Sequence, residues 1–129
     1  MSKESMMQFA NNMLFRSAFL RDNCQDLEEY SDPECPLPIS LLGYFGRQIA
    51  RQYDALAPEE WALLSALIEQ GMASGDDDVS TAVATGLIEG LIHRAEAVEG
   101  LWPRIEASLG SLARGYADAY SNADFTVKA

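Results

Sequence analysis

One histidine, two cysteines and nine basic residues are few for a chain of 129 residues that carries twenty acidic ones. Each shortage excludes something. With His93 alone, neither a multi-histidine metal site nor a histidine relay can be assembled. Cys24 and Cys35 lack a Cys-x-x-Cys spacing and a nearby histidine, so no catalytic thiol is expected. Whether the two thiols pair is open, because spacing does not give their distance. No run of about 18 consecutive apolar residues exists, so no membrane-spanning helix is expected. A signal-peptide pattern is missing too: Glu4 sits where a basic region belongs, and Asn11, Asn12 and Arg16 interrupt the apolar run. A cytoplasmic protein with reduced thiols is the resulting expectation.

The shortage of bases leaves a formal charge of -11. Phosphate backbones repel such a surface, so no nucleic-acid partner is expected. Anionic membranes are disfavoured for the same reason. A basic protein partner is favoured, because complementary charge speeds encounter. The alternative use of the acidity is solubility alone.

Recognisable chemistry is scarce as well. There is no glycine-rich phosphate loop and no nucleophile elbow. Asp76, Asp77 and Asp78 lack the spaced ligands, central glycine and distant glutamate of a calcium loop. Glu89 and His93 stand one helical turn apart, but base chemistry would also need an orienting group and a pocket. No cofactor, no metal and no enzyme activity are therefore expected.

What the chain does have is helical periodicity. Its centre is the stretch 76–96. Val79, Val83, Leu87 and Leu91 form one apolar stripe at four-residue spacing, and Ala84, Ile88 and Ile92 form another. Ala82, Gly86 and Gly90 make a nearly bare stripe, which invites close approach by a neighbouring helix. Only Thr81, Thr85, Glu89 and His93 are polar. A helix apolar around most of its circumference belongs inside a protein. Asp76 to Asp78 supply an N-cap and first-turn charges that complement the helix dipole.

Other segments repeat the pattern. Met6, Phe9, Met13 and Leu20 follow helical spacing, flanked by Ala10, Leu14 and Phe15. Such a stripe serves either core packing or a partner. Leu41, Leu42, Phe45, Ile49, Tyr53 and Leu56 mark a second helix, with Arg47 and Arg51 on its other face. Pro58, Glu59 and Glu60 start a third, lined by Trp61, Leu64, Leu67, Ile68 and Met72. After Gly100, Leu101, Trp102, Ile105, Leu109, Leu112, Tyr116 and Tyr120 continue an apolar stripe that Gly110 divides. No period-two strand pattern occurs. The expectation is an all-α, single-domain bundle over 1–129. Five to six helices would surround a buried central helix at about 77–96. An acidic, proline-containing loop is expected near 30–38, and a frayed tail at 121–129.

Two stretches carry a resemblance. Tyr44-Phe45-Gly46-Arg47-Gln48-Ile49-Ala50-Arg51 is one. Gly75-Asp76-Asp77-Asp78-Val79, with Ala82-Val83-Ala84-Thr85-Gly86-Leu87-Ile88-Glu89-Gly90-Leu91, is the other. Together they resemble a family of small acidic bacterial helical proteins, similar to immunity proteins encoded beside secreted toxins. The family pattern carries an acid just after Phe-Gly, where this chain has Arg47 and one extra residue. The resemblance implies a protein that neutralises a cognate toxin by filling its basic active-site cleft with carboxylates.

Charge distribution suggests which carboxylates. Asp22–Glu34 and Asp54–Glu89 hold fourteen of the twenty acids and no lysine or arginine. The candidate partner-binding residues are Glu28, Glu29, Asp32 and Glu34 in the loop, with Asp54, Glu59, Glu60, Asp76, Asp77 and Asp78. A different class of function is a helical adaptor that binds a partner peptide or helix in an apolar groove. A third is a small enzyme using Glu89 and His93.

Overall fold

The computed structural model describes residues 2–25 and 37–128. They are all-α, with seven helices and no strand among the described residues. The helices are α1 (Ser2–Arg16), α2 (Ala18–Asn23), α3 (Leu37–Arg51), α4 (Pro58–Met72), α5 (residues 77–96), α6 (Leu101–Ser108) and α7 (Ser111–Lys128). A short 3-10 turn, Tyr53–Ala55, joins α3 towards α4.

Six helices thus accompany the central α5, and the first two arise because the first apolar stripe is broken at Ser17. This residue is fully buried and extended. Its hydroxyl accepts from the Leu20 amide at 3.1 Å and donates to Glu60 Oε2 at 2.6 Å. An N-cap in mid-stripe restarts the helix. At the other end, α7 stays helical to Lys128, across most of the stretch read as a tail. That stretch has polar residues of modest helix propensity but no glycine or proline to stop it.

The central helix is where the sequence places it. Asp76 accepts from the Asp78 and Val79 amides and starts α5. Val83, Leu87, Ile88 and Leu91 are wholly buried, and Val79 and Ile92 nearly so. Burying each such side chain contributes about 1.5–3 kcal/mol. Thr81, Thr85 and His93 are exposed, as the polar stripe requires.

One feature of α5 was not anticipated. Its middle, Val83–Ile88, is π-helical, between α-helical ends Asp77–Ala82 and Glu89–Glu96. The Glu89 amide reaches back five residues to the Ala84 carbonyl. The Thr85 hydroxyl also donates to the Thr81 carbonyl at 2.8 Å, drawing on the acceptor row of that turn. The four stripes supply a reason. Strict four-residue spacing overshoots a 3.6-residue turn by about 40° at each step. A wider turn in the middle takes up that overshoot and keeps the stripes in line.

The bare stripe finds its neighbour in α3. The two helices run parallel, Ile39 beside Gly86 and Gly43 beside Gly90. A methyl group at Gly90 would lie 2.6 Å from the Gly43 carbonyl oxygen. One at Gly46 would collide with the Leu87 carbonyl and come within 2.8 Å of the Leu91 amide nitrogen. Backbone therefore touches backbone, which only glycine allows. Tyr44, Phe45, Leu42 and Ile49 of α3 are buried around this crossing. Helix α4 lies between them in sequence and returns the chain to the start of α5. Leu64, Leu67 and Ile68 are its fully buried face.

The outer helices contribute less. α6 buries Leu101 and Ile105. Among the described side chains of α7, only Ala113 and Ala117 are buried. A buried methyl is worth about 0.8 kcal/mol, well below a leucine. Phe15, grouped with the apolar stripe of α1 from its spacing, is instead 81% exposed.

Candidate functional site

The proposed contact acids divide into three sets. Glu28, Glu29, Asp32 and Glu34 lie outside the described residues, as do Cys35 and most of the proline-containing loop. Pro38 is inside the first turn of α3, where a missing amide hydrogen costs nothing. Asp54, Glu59 and Glu60 gather before and at the start of α4. Asp76, Asp77 and Asp78 follow its far end. Fifteen residues of helix span about 22 Å, so the structure brings these six together as two groups, one at each end of α4.

Three of the six also have work within the fold. Asp54 forms an ion pair with Arg104 of α6. This pairing raises the Arg104 guanidinium above its ordinary value, first through the hydrogen bond and then through charge. Glu60 accepts from the Ser17 hydroxyl and, at 3.2 Å, from the Phe19 amide, so it anchors the start of α2. Asp76 caps α5. Glu59, Asp77 and Asp78 are exposed in first helical turns, where their charge suits the dipole.

Next to Asp54 is an aromatic group. Tyr53 and Trp61 meet edge to face at 5.5 Å, and Arg104 stacks over Tyr53 at 5.6 Å. The Ser108 hydroxyl donates to the Ile105 carbonyl at 2.9 Å. Its oxygen then accepts from Tyr53 Oη at 3.1 Å and Trp61 Nε1 at 3.0 Å. This knot ties the 3-10 turn and α4 to α6.

A second polar group occupies the seam between α5 and α7. The Tyr116 hydroxyl donates to Glu89 Oε2 at 2.5 Å. Tyr120 Oη lies 2.7 Å from His93 Nε2. The two tyrosine rings stack at 6.2 Å. Burial, followed by the hydrogen bond to Glu89, pushes the Tyr116 hydroxyl far above the usual tyrosine range. Glu89 and His93 are thus brought together with two phenols, which sequence spacing had assigned to an apolar stripe. Both rings are half-buried against the core, and their hydroxyls meet Glu89 and His93. The signal available was the matching one-turn spacing of 89/93 and 116/120.

Glu69 is a site residue that no local sequence pattern marks. From α4 its carboxylate accepts from the Leu112 amide at 3.1 Å and the Ala113 amide at 2.8 Å, so it caps α7 from another helix. Gly110 makes the room: a methyl group there would collide with Glu69. A cap delivered across 43 positions of sequence leaves no local pattern.

Among the described residues no group of three or more His, Cys, Asp or Glu could hold a metal ion, and no helix is long and apolar enough to cross a membrane. No family model, curated protein or solved structure matches this chain.

Proposed function

We propose that the chain is an immunity protein of a bacterial toxin system, acting in the cytoplasm. It binds a cognate toxin domain and occludes a basic active-site cleft with carboxylates. The observation that carries this reading is the exposure of Glu59, Asp77 and Asp78 on a packed scaffold whose charge is -11. These acids make few demands on the fold, so their identity is free to serve a partner. Glu60 and Asp76 are engaged in capping and are more important to the scaffold than to the contact.

The test is to identify whether a toxin domain is encoded beside this chain and to coexpress the two, scored by growth and by isolation of a complex. Protection and a complex whose association rate falls with added salt are expected. Replacing Glu59, Asp77 and Asp78 with lysine is expected to slow association at least tenfold at low salt, with only the modest loss of stability, about 0.3–1 kcal/mol for each residue, that an unfavourable first-turn charge brings. Absence of protection, or association indifferent to salt and to these charges, overturns the reading. Phe15 favours the alternative of an adaptor with an apolar contact, for which binding would survive high salt.

A further inference from the structure

Over residues 111–121, whose side chains are described, helix α7 is attached differently from every other long helix of the bundle. Its buried described side chains are two alanines, Ala113 and Ala117, while Leu112 is 47% exposed. Its directional contacts are polar and come from side chains of other helices: Glu69 on its first free amides, Glu89 on Tyr116, and His93 on Tyr120. It packs against α4 and the π-helical segment of α5. Its connection to α6 is the two-residue joint Leu109-Gly110. Elements with little apolar burial and polar docking belong to the low-stability end of local opening.

We infer that α7 is a polar latch, a helix that swings from the bundle as one unit about Leu109-Gly110 and uncovers the side of α4 and of the π-helical segment. The capping carboxylate of Glu69 and the Glu89–Tyr116 bond set its closing equilibrium. The rest of the bundle survives the opening, because the polar latch contacts use Glu69, Glu89 and His93, whereas the α3–α5 crossing is held by Gly43, Gly46, Gly86 and Gly90. The inference does not depend on the toxin reading: it concerns which part of the molecule opens, whatever binds.

Residue-resolved amide hydrogen exchange of the intact chain tests it. Amides of residues 113–120 are expected to exchange through a shared opening, at least a hundredfold faster than the buried amides of α3 and α5. Glu69→Ala removes the cap and is expected to speed exchange in α7 about fivefold to tenfold, leaving α3 and α5 unchanged. Tyr116→Phe, which keeps the ring, is expected to act in the same direction and on the same amides. If Glu69→Ala fails to fold, cooperativity with the core is greater than inferred and the latch is rejected. Equal protection of α7 and α5 in the unmodified chain, or variants that speed exchange equally everywhere, rejects it as well.

Discussion

The α3–α5 crossing and the α5–α7 seam use neighbouring stripes of one helix and opposite chemistry. At the crossing, Gly43, Gly46, Gly86 and Gly90 remove side chains so that main chains meet, and large apolar residues close around them. At the seam, the same helix offers Glu89 and His93, and α7 answers with Tyr116 and Tyr120 above two buried alanines. Packing of the first kind depends on shape and is insensitive to pH and salt. Docking of the second kind depends on the state of titratable groups. A central helix with both stripes joins a fixed core to an adjustable flank.

The largest effect should come from the core. Leu87→Ala leaves a cavity beside the crossing and is expected to cost about 3 kcal/mol, read by denaturant unfolding. The cost should be the same at neutral and alkaline pH, and at low salt and in about 0.5 M salt, where exposed charge pairs are screened. A pH-dependent penalty would blur the contrast between the two regions.

Tyr116→Phe should cost less, about 1.5 kcal/mol, because it removes one hydrogen bond to a carboxylate. This substitution also tests the pH behaviour of the seam. Tyr116 has its folded value raised, so it favours the folded state as long as it is protonated. Its contribution is complete below about pH 10, the ordinary tyrosine value, and is lost as pH rises further towards the folded value. Alkaline titration should therefore weaken α7 docking in the unmodified chain, and Tyr116→Phe should flatten that dependence. An unchanged alkaline profile would remove Tyr116 from the account.

The smallest effect has the opposite sign. Glu106 of α6 faces Asp118 of α7, and their shared hydrogen bond, with burial and charge, raises Glu106 above the usual carboxylate range. A raised carboxyl stabilises the fold below its ordinary value and loses that contribution as pH climbs through the raised one. A carboxylate beside another carboxylate costs Coulomb energy. Glu106→Gln should then stabilise the chain at pH 7 by less than about 0.5 kcal/mol, because Glu106 is only half-buried and solvent screens the pair. The gain should vanish near pH 4.

The legible and illegible parts of this molecule divide along the same line. Stripes at helical spacing located α5 and its buried face because burial repeats along one helix. The glycine stripe announced a close neighbour, and strict four-residue spacing carried the trace of the π-helical turn. Ser17 was hidden, since a buried serine in an apolar stripe looks like a tolerated small residue until its amide and Glu60 partners are seen. Glu69 and Glu60 were hidden for a related reason. Each reads as one more surface acid, yet each is bonded to a helix start more than 40 positions away. The acids grouped from sequence as one candidate surface were legible as charge but not as place. Sequence proximity across α4 concealed a separation of about 22 Å along the helix.

The most direct test places one substitution in each region. Gly46→Ala puts a methyl group against the Leu87 carbonyl, whereas Gly115→Ala puts one where no atom lies within 4 Å. The account predicts opposite signs in equilibrium unfolding: a loss of about 2–3 kcal/mol at Gly46 from overpacking, and a gain of about 0.5–1 kcal/mol at Gly115 from helix propensity. Tolerance of Gly46→Ala, or a destabilised Gly115→Ala, would contradict it.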